Sequence, residues 1–397
     1  MKKLILLMFL VSNIIFSQNN SIQFIDKQDA PDEMVLLSTS INGDNIFINS
    51  GNIVGDNDFV EYNSIWKYSI SGNNWSDLIT SPALLPTRWG NGEIIDDIMY
   101  RFNGQLFRWG DGLLNETNII DLNTGAVTQG AENPIPRHQA GTAVNGRNIY
   151  VFGGGLGYSG SPDLGYTNSV YYYNVDFDSW TELPSMPEAK STKGEFVDGK
   201  LYVIGGYNGN VSNKIDVYNP ETNQWEYQYV MPFSVSANAT AVYGDKIFII
   251  SDFTEMTRII VFDTVDLSYT SVENNMINRR HFDAEIFNDE LYVICGSYTS
   301  SLYESGLRSL QAASVGELLS LKNTSNHNFT IYPNPTISII NIEQDFTTAK
   351  VYDISGRELL KSTSKTIDLS ELPSNIYLLR LYDNNNGVLG TGKIIKN

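Results

Sequence analysis

Asn148–Gly154 reads NIYVFGG and Lys200–Gly206 reads KLYVIGG. Each is a run of β-branched and aromatic residues ending in a glycine pair, the pattern of a buried strand that runs straight into a tight turn. Related strand ends recur at NIFINSG (Asn45–Gly51), IMYRFNG (Ile98–Gly104), KIFIISD (Lys246–Asp252) and ELYVICG (Glu290–Gly296), so the chain repeats itself about every fifty residues. A second mark travels with the first. An aromatic stands seven residues before a tryptophan at Tyr68/Trp75, Tyr173/Trp180 and Tyr218/Trp225, and in relaxed form at Ile120/Val127 and Phe262/Tyr269. Proline follows seven residues later at Pro82, Pro134, Pro187 and Pro232. With hairpin signals at Asn145–Gly146 and Asp198–Gly199, these marks predict an all-β chain of six like units, each a four-stranded antiparallel sheet. The sixth unit, from His281 to Leu321, lacks its outer strand, whereas Phe24 precedes Pro31 by the same seven residues at the other end of the chain. Ser21–Asp32 is therefore expected to complete the last unit, closing the ring and removing two open sheet edges.

The repeat resembles the kelch motif over about three quarters of the chain, which implies a six-bladed kelch-like β-propeller spanning residues 19–321 and closed by an N-terminal strand. A polar linker, 322–328, leads into a different texture: FTIYPNP (Phe329–Pro335), VYDISGREL (Val351–Leu359) and GKIIK (Gly392–Lys396). Residues 329–397 read as a small C-terminal β-sandwich and resemble the sorting domain of the type IX secretion system of Bacteroidetes-type bacteria. Tyr332, Pro333, Asn334, Pro335, Gly356, Lys393 and Lys396 carry that resemblance. Asn375 replaces a glycine usual in such domains and is expected to take the left-handed conformation of a turn. The resemblance implies the type IX machinery as a partner, export across the outer membrane, and removal of this domain on arrival. Met1–Gln18 has two lysines before a short apolar run, the layout of a signal peptide. A secreted or cell-surface protein is the expectation.

Composition narrows the function. In 397 residues, 45 acidic side chains against 26 basic ones give a net charge of −19, unsuited to nucleic acid or anionic lipid. No stretch after residue 18 is long and apolar enough for a transmembrane helix. The single cysteine, Cys295, excludes an internal disulfide and reads as a small buried hydrophobe. No hydrolase, Walker or metalloprotease motif occurs, and His138 and His281 read as structural, so neither cofactor nor metal is expected.

Aligning the units on a hairpin residue (Gly43, Asp97, Gly146, Gly199, Gly244, Asp289) brings out two rings. Nine residues earlier stand Met34, Arg88, Arg137, Lys190, Val235 and Arg280; the four cations are candidates for a collar at the channel mouth that would hold a carboxylate. The alternative for each is capping of backbone carbonyls. Four residues before the hairpin, Thr39, Glu93, Thr142, Glu195, Thr240 and Glu285 alternate, each after a small residue. Glu93, Glu195 and Glu285 are candidate acid–base groups lining a watery channel, with idle pore residues or separate ion pairs as the alternative. Trp109, Tyr158, Tyr166 and Tyr207 lie on loops expected at one face, where aromatics grip sugars or peptides or else cover the rim. The leading expectation is an exported, non-enzymatic binding module for a glycan or an extracellular protein. The alternative is a sugar epimerase or mutarotase of the sialate or uronate type, working with the channel glutamates and mouth arginines.

Overall fold

The computed structural model describes residues 21–54, 63–81, 83–106, 112–157, 165–299, 305–316, 329–352, 358–382 and 388–397. The expected signal peptide (1–18), Pro82, Trp109, Tyr158, the 322–328 linker and Gly356 lie outside them.

Six four-stranded antiparallel sheets form the propeller. Blade 1 comprises Met34–Asn42, Asn45–Ile53, Ser64–Ser69 and Asn74–Thr80; blade 2, Asn91–Ile95, Ile98–Phe102, Asn118–Asp121 and Val127–Gln129. Blade 3 has Gly141–Asn145, Asn148–Phe152, Val170–Asn174 and Ser179–Leu183; blade 4 has Ser191–Val197, Lys200–Tyr207, Lys214–Asn219 and Gln224–Val230. Blade 5 has Ala239–Tyr243, Lys246–Ile250, Ile259–Asp263 and Tyr269–Ser271. Blade 6 has Asp283–Phe287, Glu290–Ile294 and Leu310–Ser314, with Ile25–Asp26 as its fourth strand.

That last pairing is the ring closure expected from the spacing. Ile25 faces Ala312 and Asp26 faces Gln311, and Gln311 donates to the Asp26 carboxylate at 2.9 Å. The strand is short, yet its flanks are tied as well. Lys27 and Ala30 donate backbone bonds to Leu310 and Arg308, and Asn275 holds both backbone groups of Phe24. Ile22 and Phe24 are buried in the core between blades 5 and 6.

The spacing of seven is a hairpin. Tyr68 pairs with Trp75, Tyr173 with Trp180 and Tyr218 with Trp225 across strands three and four. Their ring centroids are 5.1, 5.2 and 5.3 Å apart. Each tyrosine hydroxyl donates to the left-handed turn residue five places on: Asn73, Asp178 and Asn223. Each indole N–H reaches back to a carbonyl of the preceding blade or, for blade 1, of the closing segment: Ala131, Pro184 and Gln28. One aromatic pair thus pins its own turn and the neighbouring blade, satisfying both polar tips.

The first hairpin of each blade comes in two forms. In blades 2, 4 and 6 both central residues are left-handed: Asp96–Asp97, Asp198–Gly199 and Asn288–Asp289. In blades 1, 3 and 5 the first central residue is a left-handed glycine, Gly43, Gly146 or Gly244. The turn of blade 3 is therefore Gly146–Arg147, with Asn145 paired to Asn148, one residue along from the expected Asn145–Gly146 turn. A glycine-first turn needs no asparagine beside it.

This offset decides how the blades meet. Counting pairs from the turn, each glutamate of the alternating ring is one residue nearer the turn than each threonine, so the two types emerge on opposite faces of their sheets. Glu93 reaches Thr142, Glu195 accepts from Thr240 at 2.7 Å, and Glu285 accepts from Thr39 at 2.8 Å. These bonds cross the seams from blade 2 to 3, 4 to 5 and 6 to 1. The other three seams juxtapose small residues, as where Ser40 donates to the Gly92 carbonyl, and their inner strands lie closer. The ring is built as three pairs of blades.

In the C-terminal segment, Ile331–Tyr332, Ile339–Ile342 and Thr366–Asp368 form one sheet. Thr348–Tyr352, Glu358–Ser362, Asn375–Tyr382 and Val388–Lys396 form the other, over a core that includes Ile340, Val351, Leu379 and Ile394. Asn334 of the YPNP motif clamps the final strand, donating to the Lys393 carbonyl at 2.6 Å and accepting from the Ile395 amide at 2.8 Å. Asn375 opens a strand rather than a left-handed turn, because its side chain binds the Ile376 amide.

Candidate functional site

Two cavities lie on the axis. One, of about 300 Å³, is lined by the first strands of all six blades and includes Thr39, Glu93, Thr142, Glu195, Thr240 and Glu285 on its wall. The three candidate glutamates thus line the channel. Burial raises the carboxyls of Glu93 and Glu195 to about 7 against the restraining bonds from Thr142 and Thr240. Glu285 is raised well above the usual carboxylate range, first by burial and then by the neighbouring Asp283.

The other cavity is a cup of about 510 Å³ at the face carrying the loops after strands two and four. Its wall carries Trp89, Tyr166, Tyr207, Phe253 and His281, with Gln139, Ser191 and Asn238 as polar members. The aromatics are fixed in place: Tyr166 meets Tyr207 edge-on at 6.0 Å, and the Arg280 guanidinium lies 3.9 Å from the Phe253 ring centre. Tyr207 and Phe253 remain 40% and 48% exposed, so each leaves ring surface to a ligand, Phe253 with Arg280 over the ring. Burial and the adjacent Arg280 depress the His281 imidazole to about 3, leaving it neutral.

Around the rim, the entry to the first strand is left-handed in non-glycine residues: Leu36, Trp89, Gln139, Ala237 and His281. Such residues store strain that the surroundings must hold. Here a chain of backbone bonds holds it. Trp89 donates to Leu36, Leu36 to His281, His281 to Ala237, and Gln139 to Trp89. Among the described residues the chain is interrupted at blade 4, where a register shift between Ser191 and Lys193 bulges the first strand.

Lys193 lines both cavities, and its ammonium lies 3.3 Å from Asp283 of blade 6. Sequence reading missed this pair. Its signal was a third ring two residues before the Thr/Glu ring: Leu37, Asn91, Ala140, Lys193, Asn238 and Asp283.

The expected cationic collar takes a different form. Arg88, Arg137, Lys190 and Arg280 are buried, at 2%, 0%, 0% and 1% exposure. Arg137 donates to the Gly153 and Ser169 carbonyls of its own blade. Lys190 pairs with the equally buried Asp216 at 2.9 Å. Arg88 binds Gln105, and Arg280 binds the Thr299 carbonyl. In blade 6 the counterpart of Arg137 is Arg279, which donates to the Cys295 and Ser309 carbonyls; aligning on the second turn residue had displaced it by one. These cations hold loops, and the channel glutamates bond to threonines rather than to them.

Comparison with known proteins bears directly on this architecture. The model of the KLHDC2/KLHL20/DRC7 kelch-repeats domain matches residues 36–251, more than half of the chain. The chain belongs to the kelch-repeat family. The kelch propeller is followed by a secretion-system C-terminal sorting domain, matched over residues 330–397. Similar curated proteins include kelch-like protein terF of Aspergillus terreus, 28% identical over 46% of this chain and 45% of that protein. Human kelch repeat and BTB domain-containing protein 12 is 30% identical over 47% of this chain and 32% of its own length. Rat kelch domain-containing protein 10 is 25% identical over 53% of this chain and 54% of its own length. The chain thus spans about half, or less, of these relatives. A kelch domain joined to a sorting domain fits an exported kelch protein. No helix among the described residues is long and apolar enough to cross a membrane.

Proposed function

We propose that this protein is an exported or surface-displayed binding module whose axial cup takes a glycan or protein ligand, with the chemistry of the cup favouring a sugar. In this reading residues 1–18 direct export, 19–321 form the propeller, 322–328 link it to the tail, and 329–397 address the chain to the type IX machinery. The observation that carries the binding assignment is the cup itself: about 510 Å³ on the axis, walled from every blade, with open aromatic faces beside amide and hydroxyl groups. Open rings stack on the apolar faces of sugars, while amides and hydroxyls bind their hydroxyl groups. Tyr166 and Tyr207 supply ring faces; Arg88, Arg137, Lys190 and Arg280 act behind the wall, Arg280 by bracing Phe253.

A glycan array probed with the full chain tests this. A defined set of glycans should bind the wild type and be lost in Y207A/F253A, whose fold is checked by its melting curve. Binding that survives both substitutions would remove the cup from the function. The epimerase or mutarotase reading retains one favourable observation, carboxyls with pKa values of about 7 in the chamber below the cup. Accelerated anomer exchange of sialic or glucuronic acid by NMR, abolished by E195Q, would establish it; exchange at the solvent rate would dismiss it.

A further inference from the structure

Lys193 is the only charged side chain among the described residues that line the cup, since His281 is neutral. Strand alternation puts it there: Lys193 pairs with Ile204 in unbroken register with Glu195 and Tyr202, so its side chain leaves the strand on the same face as the channel glutamate two residues on. The backbone chain around the rim is interrupted at the same blade, so no rim bond covers this position. The side chain then spans from cup to channel, with a single long contact of 3.3 Å to Asp283, which also accepts the Thr39 amide at 2.9 Å. An ammonium has three donors, so two remain for a ligand.

We propose that Lys193 is the specificity-determining residue of the cup and selects a sugar bearing a carboxylate, which binds the ammonium beside Asp283. This rests on the reading of the cup as a glycan site. Asp283 holds the ammonium only at 3.3 Å, and a ligand carboxylate on the remaining donors makes a charge-assisted bond. The other charged groups on the inner strands are Glu93, Glu195 and Glu285. They lie below Lys193, bonded to threonines; burial raises Glu93 and Glu195 to about 7 and Glu285 well above the usual carboxylate range, which weakens their repulsion of the incoming anion. An added anion favours their protonated forms, so binding takes up protons and strengthens as pH falls from 8 to 6.

The test titrates the full chain with methyl β-glucuronide and methyl β-glucoside, followed by NMR, with an acidic peptide as a third probe. The wild type should prefer the glucuronide by about tenfold, the scale of one charge-assisted bond. K193M should erase that preference while keeping glucoside affinity, K193R should restore most of it, and D283N should enlarge it. A preference unchanged in K193M, no preference in the wild type, no sugar binding at all, or saturable binding of the peptide alone would each overturn the proposal. Y207A/F253A separates the two levels of inference: loss of both sugars there keeps the cup as the site whatever Lys193 does, and retention of both removes the cup itself.

Discussion

Replacing Glu195 with glutamine isolates the cost of keeping carboxylates around the channel. Glutamine has the same size and still accepts from Thr240, so the substitution removes the ionisable group with little else changed. The native carboxyl holds its proton to about pH 7, while in the unfolded chain it ionises near the ordinary value of 4.5. Between those values the folded state binds more protons than the unfolded one, so stability is lost as pH rises through the window. A displacement of that size corresponds to about 3 kcal/mol, or about 2 kcal/mol after allowance for water in the channel. His138 and His281 pull the other way, because burial depresses their imidazoles to about 4 and about 3 and the folded state resists their protonation. The informative quantity is therefore the difference between E195Q and wild type. It should be near zero at pH 4.5 and grow to about 2 kcal/mol in favour of E195Q at pH 8. Urea unfolding followed by tryptophan fluorescence suits the purpose, since all six tryptophans lie between Trp66 and Trp225 and report on the propeller alone. Parallel stability curves for the two proteins from pH 4.5 to 8 would refute the assignment of a proton-retaining channel.

Two further predictions concern the frame. Deleting Ser21–Ala30 removes Ile22 and Phe24 from the core between blades 5 and 6 and leaves Leu310–Ser314 as an open edge, so the propeller should melt lower as a unit and self-associate. Unchanged melting with a monomeric sedimentation profile would show that the closing strand is dispensable. K190M strands the Asp216 carboxylate at 0% exposure and should destabilise by about 3–5 kcal/mol, whereas K190M/D216L should recover most of that loss. A double variant no more stable than K190M in urea would assign the loss to packing rather than to an unpaired charge.

The repeat, the blade count and the closing strand were legible because each rests on local chemistry that recurs: a strand ending in a tight turn, an aromatic pair seven residues apart, a proline seven further on. The ring of alternating Thr39, Glu93, Thr142, Glu195, Thr240 and Glu285 was legible as a pattern but not as a contact map. Its meaning depends on whether a two-residue turn begins or ends on the aligned residue, and Gly43 and Asp97 occupy different places in their turns. One residue reverses the face of a strand. That reversal converts an apparent hexagon of like positions into three bonds across alternate seams. The same slip made Arg280 stand for Arg279 and gave the buried cations of the blades the look of a collar. Lys193 was hidden for a different reason: it stands two residues before Glu195 in unbroken register, at a position that is uncharged in four of the six blades, so no ring of like residues marked it. In a repeat protein the conforming positions build the frame. The departures from the repeat, here the unlike pair Lys193 and Asp283, are where a ligand can tell one blade from another.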